Sequence, residues 1–340
     1  MQISELGEFP LIDRVAEIVA VERDDVLVGI GDDVAVLDHG GEELLLAKVD
    51  IQVEGVHFLP GTISAHDLGR KALAINLSDI AAAGGRPYHA LVSLALPAET
   101  EVAWVEDLYR GLRHEAERYG LIVVGGNMAR SPGAIVVDVF VLGRVRREHV
   151  LLRSGAQPGD RVLVTGTLGD SAAGLALLQD PGIGLEPAQR EMLLARHFTP
   201  TPRLPESAII ARRGSATAMI DVSDGLSSDV GHICERSGVG VRLWAARLPI
   251  SPAARQVAGA AGRAAWQMAL EGGEDYELCF TAPPDAAGTL AAAVEAETGT
   301  TVSIVGEILV EPGRYLVRED GTEVSLRAGG WQHFGSDSPQ

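Results

Sequence analysis

Apolar positions recur at two different periods along the first half of the chain. In PLIDRVAEIVA (10–20), AHDLGRKALAINLSDIAAAG (65–84) and EVAWVEDLYRGLRHEAERYG (101–120) they fall at three- and four-residue steps. That spacing predicts helices, the last of them stopped by Gly120. ELLLAKVDIQVEGVHF (43–58) begins as a continuous apolar strand and then turns polar. YHALVSLALP is a strand ended by Pro97, and LIVVGG and AIVVDVFVLGRV are two more. Near 145–160 the chain becomes basic and rich in turn residues, in RVRREHVLLRSGAQPGD. We place a domain boundary there, dividing the chain into 1–146 and 147–340. A second unit then opens with RVLVTGTLGDSAAGLALL, which reads as strand, glycine turn and helix. ATAMIDVS, VGVRLWA, DYELCFT and TVSIVGEIL are its further strands, with helices between them. The pattern as a whole predicts an α/β (α+β) fold in two domains. LLLAKVD and YHALVSLALP are apolar strands with little to cover them in one small domain, so the N-terminal domain is expected to form a two-fold homodimer.

Composition narrows the class. The chain has 340 residues, 46% of them hydrophobic and 22% charged, which suits folded domains rather than disorder. Aromatic residues make up only 4%, so alanine, valine, leucine and glycine must fill the interior. A net charge of −19 argues against a nucleic-acid-coating surface, which needs clustered Lys and Arg. No apolar run approaches the roughly 20 residues of a membrane span. The N-terminus is acidic and unlike a secretion signal, so a cytoplasmic protein is expected. Cys234 and Cys279 lie in apolar runs without metal-ligand spacing and read as buried structural thiols.

Carboxylates carry the candidate chemistry. They gather at Asp32-Asp33 in GIGDDVAVL, Asp50 in KVDIQVEGVHF, Asp79 in NLSDIAAAGG, Asp221, Asp224 and Asp229 in DVSDGLSSDV, and Glu274-Asp275 in EGGEDYELCF. Each cluster adjoins glycines or ends an apolar strand, where sites are built. Any one Asp serves equally well as a helix cap or turn former. Five clusters in similar settings point instead to hard divalent cations, and Mg²⁺ with phosphate oxygens suits such donors. The P-loop signature is absent, and TGTLGDSAAG does not match G-x-G-x-x-G. It reads as a tight strand-to-helix turn, or alternatively as a phosphate-facing loop. His57 lacks a partner histidine at metal spacing, and Arg153 is either a surface charge or a phosphate clamp. NLSDIAAAGG and DVSDGLSSDV share a Ser-Asp pair followed by small residues, a weak internal echo.

Taken in order, several segments resemble the thiamine-monophosphate kinase family. They are GIGDDVAVL, VEGVHFLP, GRKALAINLSDIAAAGGRP, Arg153-Ser154-Gly155-Ala156 with QPGDRVLVTGTLGDSAAGLALL, DVSDGLSSDVGHI, GGEDYELCFT and GWQHF, spanning about residues 5–334. More distantly they are similar to the aminoimidazole-ribonucleotide and selenophosphate synthetases. The resemblance implies an N-terminal dimerising α/β domain, a C-terminal α/β domain, and ATP with Mg²⁺ in the cleft between them. It implies transfer of the ATP γ-phosphoryl group to thiamine monophosphate, with positioning and charge neutralisation doing most of the catalysis. By matching motif, Asp33, Asp50, Asp79, Asp221 and Asp224 would hold metal, and Asn127, where the family has Asp, would still offer a carbonyl oxygen to it. Gly125, Gly126, Arg153 and Ser223 would contact ATP, and His57, Glu274 and Trp331 would face the thiamine substrate; Lys48, which the family lacks, would add positive charge near the ATP phosphates. No covalent nucleophile is implied. The family's hydroxyl-hydroxyl-Asp triplet is here Lys48-Val49-Asp50, and its Gly-Gly-Asp-Thr is Gly125-Gly126-Asn127-Met128. Those departures keep two alternatives beside the kinase: a paralogue that activates another small molecule with ATP, and a non-catalytic nucleotide-binding dimer.

Overall fold

A computed structural model of the chain describes residues 2–20, 23–59 and 61–326. Trp331 and the GWQHF segment therefore lie outside the described residues. Helices α1 (Ile3–Leu6) and α2 (Glu8–Val19) lead into β1 (Val26–Val28), β2 (Ala35–Leu37) and β3 (Glu43–Val53). Helix α3 (Ala65–Ala82), β4 (Arg86–Leu96), α4 (Val102–Tyr119), β5 (Ile122–Arg130) and β6 (Val136–Arg146) complete the first half. The six strands form one sheet in the order β1-β2-β3-β6-β4-β5, antiparallel except for the parallel pair β4–β5.

After a linker the second half runs β7 (Arg161–Thr165), α5 (Asp170–Gln179), α6 (Pro187–Phe198), α7 (Leu204–Arg213), β8 (Ala218–Asp221), α8 (Leu226–Ser237) and β9 (Gly240–Trp244). It continues with α9 (Pro252–Ala260), α10 (Ala265–Glu271), β10 (Leu278–Ala282), α11 (Pro284–Thr298), β11 (Val302–Leu309), β12 (Gly313–Val317) and β13 (Glu323–Ser325). Its seven strands are ordered β13-β12-β9-β11-β7-β10-β8. The result is a two-domain α/β fold.

Helix α3 organises the whole. Ser64 caps it, its hydroxyl accepting from the Asp67 amide at 3.0 Å. Every residue from Lys71 to Ala82 is buried, which suits a helix rich in Ala, Leu and Ile on all sides. It packs on β3, β4 and β6 of the first sheet, on α4, and on β8 and α7 of the second half. The α3–α4 crossing is close because glycines meet backbone. A Cβ on Gly69 would stand 2.1 Å from the Leu108 carbonyl oxygen, and one on Gly111 would stand 1.8 Å from that of His66. One hydrophobic cluster consequently spans both halves, joining Leu46, Leu77, Val92 and Val139 to Leu163, Ile210, Met219 and Phe280. A second cluster lies within the C-terminal half. Cys234 and Cys279 are both buried free thiols, and burial pushes the Cys234 thiol up to about 12.

Two elements differ from the sequence reading. LIVVGG does not end at its glycines: β5 runs on to Arg130 as an edge strand, with Gly125 and Gly126 inside it. The β10 strand starts at Leu278 rather than Asp275, because Glu274 and Tyr276 adopt positive φ angles of 65° and 51°. A non-glycine residue in that region costs energy, and such strain gathers at functional sites.

Candidate active site

Three carboxylates from distant parts of the chain converge where α3 passes between the halves. Asp33 precedes β2, Asp79 sits in the last turn of α3, and Asp221 ends β8. One oxygen from each lies within 4.8 Å of the others, and all three residues are buried. The first of the Ser-Asp pairs noted in the sequence takes part here, since the Ser78 hydroxyl donates to Asp221 Oδ2 at 2.6 Å. Lys48 on β3 reaches the group, with its Nζ 3.0 Å from Asp79 Oδ1 and 3.9 Å from Asp50 Oδ2. Arg153 closes it from the linker, with Nη2 at 2.5 Å and Nε at 3.1 Å from Asp33 Oδ1. The Arg153 amide also donates to Asp32 at 3.2 Å. Arg153 is thus neither a free surface charge nor an unengaged clamp, but a half-buried ion-pair partner.

The electrostatics follow from burial and crowding. Burial, then the charge of Asp33, pushes Asp221 up to about 7. Burial and the same Asp33 charge raise Asp32 to about 6. Asp79 also rises, chiefly through burial, and Lys48 only partly offsets it. Burial works against the Lys48 ammonium, but Asp79 and Asp50 outweigh it and keep the lysine charged. Buried carboxylate oxygens crowded this closely are short of positive charge, and that donor set fits a hard divalent cation such as Mg²⁺.

The neighbouring motifs are tied to this centre by backbone. Residues 222–223 and 274–277 run side by side: the Glu274 amide donates to the Ser223 carbonyl at 2.7 Å and Tyr276 to Val222 at 2.8 Å. This pairing holds Glu274 in its strained conformation. Its Oε1 meets Lys71 Nζ at 2.7 Å, and its Oε2 lies 3.2 Å from His197 Nδ1. Burial opposes the Glu274 charge, yet Lys71 and His197 hold its pKa below the usual value. Burial and then Lys71 press His197 down to about 4, with Glu274 pulling weakly the other way. The Ser171 hydroxyl completes this group, 3.1 Å from His197 Nδ1.

Other expected site residues fall as follows. Asp224 lies beside Asp229, whose Oδ2 accepts from the Asp224 and Gly225 amides at 3.2 and 3.0 Å. Asp229 therefore ties down the turn that leads into α8. His57 Nδ1 accepts from the Val53 amide at 3.0 Å. Asp275 accepts from the Gly169 and Ser171 amides at 2.7 and 3.3 Å, so the turn in TGTLGDSAAG already spends its amides on a carboxylate and is structural. Gly126 lies against β4 so closely that a Cβ would stand 1.8 Å from the Val92 oxygen. Asn127 is not brought to the triad. It pairs with exposed Ser93, whereas Lys48 and Asp50 pair with buried Val141 and Val139, so the pleat points them to opposite faces of the sheet. Lys71, Ser171 and His197 were not singled out in the sequence, and Ser78 only as part of the Ser-Asp echo. Lys71 left a faint signal, a lysine directly before the mostly apolar run ALAINL, and it stands seven residues from Ser78 on one helix face.

The architecture has known counterparts. Residues 31–145 match the family model for AIR synthase related protein, N-terminal domain, and residues 157–318 match that for its C-terminal domain. Two such domains with carboxylates at their junction define the class as an AIR-synthase-related protein. Within it the similarity is specific. Thiamine-monophosphate kinase of Escherichia coli K12 is 40% identical over 329 residues, covering 96% of this chain and 98% of its own. The Aquifex aeolicus enzyme is 37% identical, covering 98% and 100%. A solved structure of AaThiL complexed with AMPPCP and TMP superposes with a TM-score of 0.84 at 36% identity, over 98% of this chain and 99% of that one. The Escherichia coli hydrogenase maturation protein HypE, at 20% identity and a TM-score of 0.71, shares the fold. The chain belongs to the thiamine-monophosphate kinase family.

Proposed function

We propose that this protein transfers the γ-phosphoryl group of ATP to the phosphate of thiamine monophosphate, giving thiamine diphosphate and ADP. The observation that carries the reading is the buried junction of Asp33, Asp79 and Asp221 in a chain of this family. Asp33, Asp50, Asp79, Asp221 and Asp224 would hold Mg²⁺, which when bound offsets the charge of the phosphates. The protein's own contribution is to fix those carboxylates. Ser78 orients Asp221, and Arg153 orients Asp33 across the two halves. Gly125, Gly126 and Ser223 would lie along ATP, the glycines leaving the edge strand without side chains at those two positions. His57 and Glu274 would face the thiamine substrate, with Lys71 and His197 holding Glu274 in place.

The protein would act as a homodimer through the uncovered face of its first sheet. Val49, Ile51 and Leu91 are 54%, 41% and 39% exposed there, beside Phe140 in the adjoining register. Asn127 lies on the same face. Among the described residues no helix is long and apolar enough to cross a membrane, and a cytoplasmic site of action fits that. The test is ADP release by the purified protein with and without thiamine monophosphate, with thiamine diphosphate measured by chromatography. Release that depends on thiamine monophosphate, and is lost in Asp79→Asn with folding intact, is the expected result. No stimulation by thiamine monophosphate would refute the assignment. The lysine among the carboxylates favours one second reading, a diverged enzyme that activates a different small molecule, which would turn over ATP only with another acceptor.

A further inference from the structure

The carboxylate centre already contains a cation of its own. Asp33, Asp50, Asp79 and Asp221 bring four carboxylates together, and among the described residues Arg153 and Lys48 pair with them. Arg153 is committed to Asp33. Lys48 enters from β3 on the covered face of the sheet and lies 3.0 Å from Asp79 and 3.9 Å from Asp50, with only 22% of its side chain exposed. It therefore bridges two candidate metal ligands from within the cluster rather than reaching out of it. A divalent ion placed between the same two carboxylates would have to share that space with an ammonium group.

We infer that Lys48 is a resident substitute for a metal ion, occupying the Asp50–Asp79 position so that the centre assembles with fewer Mg²⁺ ions than its carboxylates alone would take. The ammonium is a compact point charge on a flexible stem, the one side chain able to imitate an ion between two carboxylates. Its role toward ATP is then indirect: it holds Asp50 and Asp79 instead of touching the phosphates. Asn127, on the other face of the sheet, takes no part. The inference rests on the phosphotransferase reading only for the identity of the ion. It is tested without an acceptor, so a failure to phosphorylate thiamine monophosphate would leave it standing.

The experiment uses the full-length, nucleotide-free protein. Mg²⁺ is titrated calorimetrically into the wild type and into Lys48→Met, which keeps the stem and removes the charge. Thermal unfolding of both is followed in Mg²⁺ and in NaCl of matched ionic strength. A unit charge a few ångström from the ion, at an effective dielectric constant of about 20, is a strong repulsion, so Lys48→Met should bind Mg²⁺ at least about tenfold more tightly. Its melting temperature should fall in the absence of divalent ions and be restored by Mg²⁺ but not by NaCl. Loss of mere packing would not respond to the ion. Lys48→Met/Asp79→Asn, which removes one charge of each sign, should melt near the wild type without Mg²⁺ and lose the tighter site. Equal Mg²⁺ affinity in wild type and Lys48→Met overturns the inference. So does a Lys48→Met chain that Mg²⁺ fails to restore, including one that stays unfolded in saturating Mg²⁺.

Discussion

Replacing Lys71 by Met tests how the substrate-facing side of the centre is built. The Lys71 side chain is 1% exposed, and its ammonium meets Glu274 Oε1 at 2.7 Å. At that separation and an effective dielectric constant of about 20, the attraction is about 6 kcal/mol before desolvation is subtracted. Removing one partner of a buried pair costs about 3–5 kcal/mol in practice, because the other charge is stranded. Glu274 keeps 27% of its side chain exposed, so water relieves part of the stranded charge and the lower end, about 3 kcal/mol, is expected. Met fills nearly the same volume, so little of the loss comes from packing. Denaturant unfolding followed by circular dichroism measures it. Lys71→Met/Glu274→Gln leaves no charge stranded and should recover at least half the loss. The Lys71 charge also depresses His197, so the imidazole should titrate higher in Lys71→Met, read by NMR. A loss below about 1 kcal/mol, or a double variant no more stable than the single one, would show that the pair does not hold this loop.

Two further outcomes are expected. His197 is neutral in the folded protein, its pKa pressed to about 4 from a usual 6.5 by burial and then by Lys71, so the unfolded chain takes up a proton that the folded one refuses. Its contribution to stability is complete above about pH 6.5 and lost as pH falls toward 4; His197→Gln should flatten stability across that window, and an unchanged slope would contradict the assignment. Light scattering at micromolar concentration should give a dimer for the wild type and a monomer for Val49→Glu/Leu91→Glu, both positions being exposed in the single chain; a monomeric wild type would remove the uncovered sheet as an interface.

Much of this protein is local and was legible as such. The 3.6-residue spacing of α3 and α4 and the apolar runs of β3, β4 and β6 need only the chain's own periodicity. The acidic clusters next to glycines marked four of the residues that meet at the centre, Asp33, Asp50, Asp79 and Asp221, because hard cations demand that kind of donor. The positions where periodicity misled are those where tertiary contacts override it. The start of β10 yields to the pairing of 274–277 with 222–223, and β5 runs past its glycines because β4 supplies a parallel ladder.

What the sequence determined by itself was therefore the elements, the family pattern and the kind of chemistry. Which side chains meet was decided by the tertiary structure alone. Ser78 and Asp221 are 143 residues apart, Lys71 and Glu274 are 203 residues apart, and no spacing along the chain announces either contact. The same holds for Lys48 and Asn127. Both are departures from the family pattern, on β3 and β5 of one sheet. The pleat separates them, because alternate residues of a strand face opposite ways and register assigns one to the carboxylates and the other to the open face.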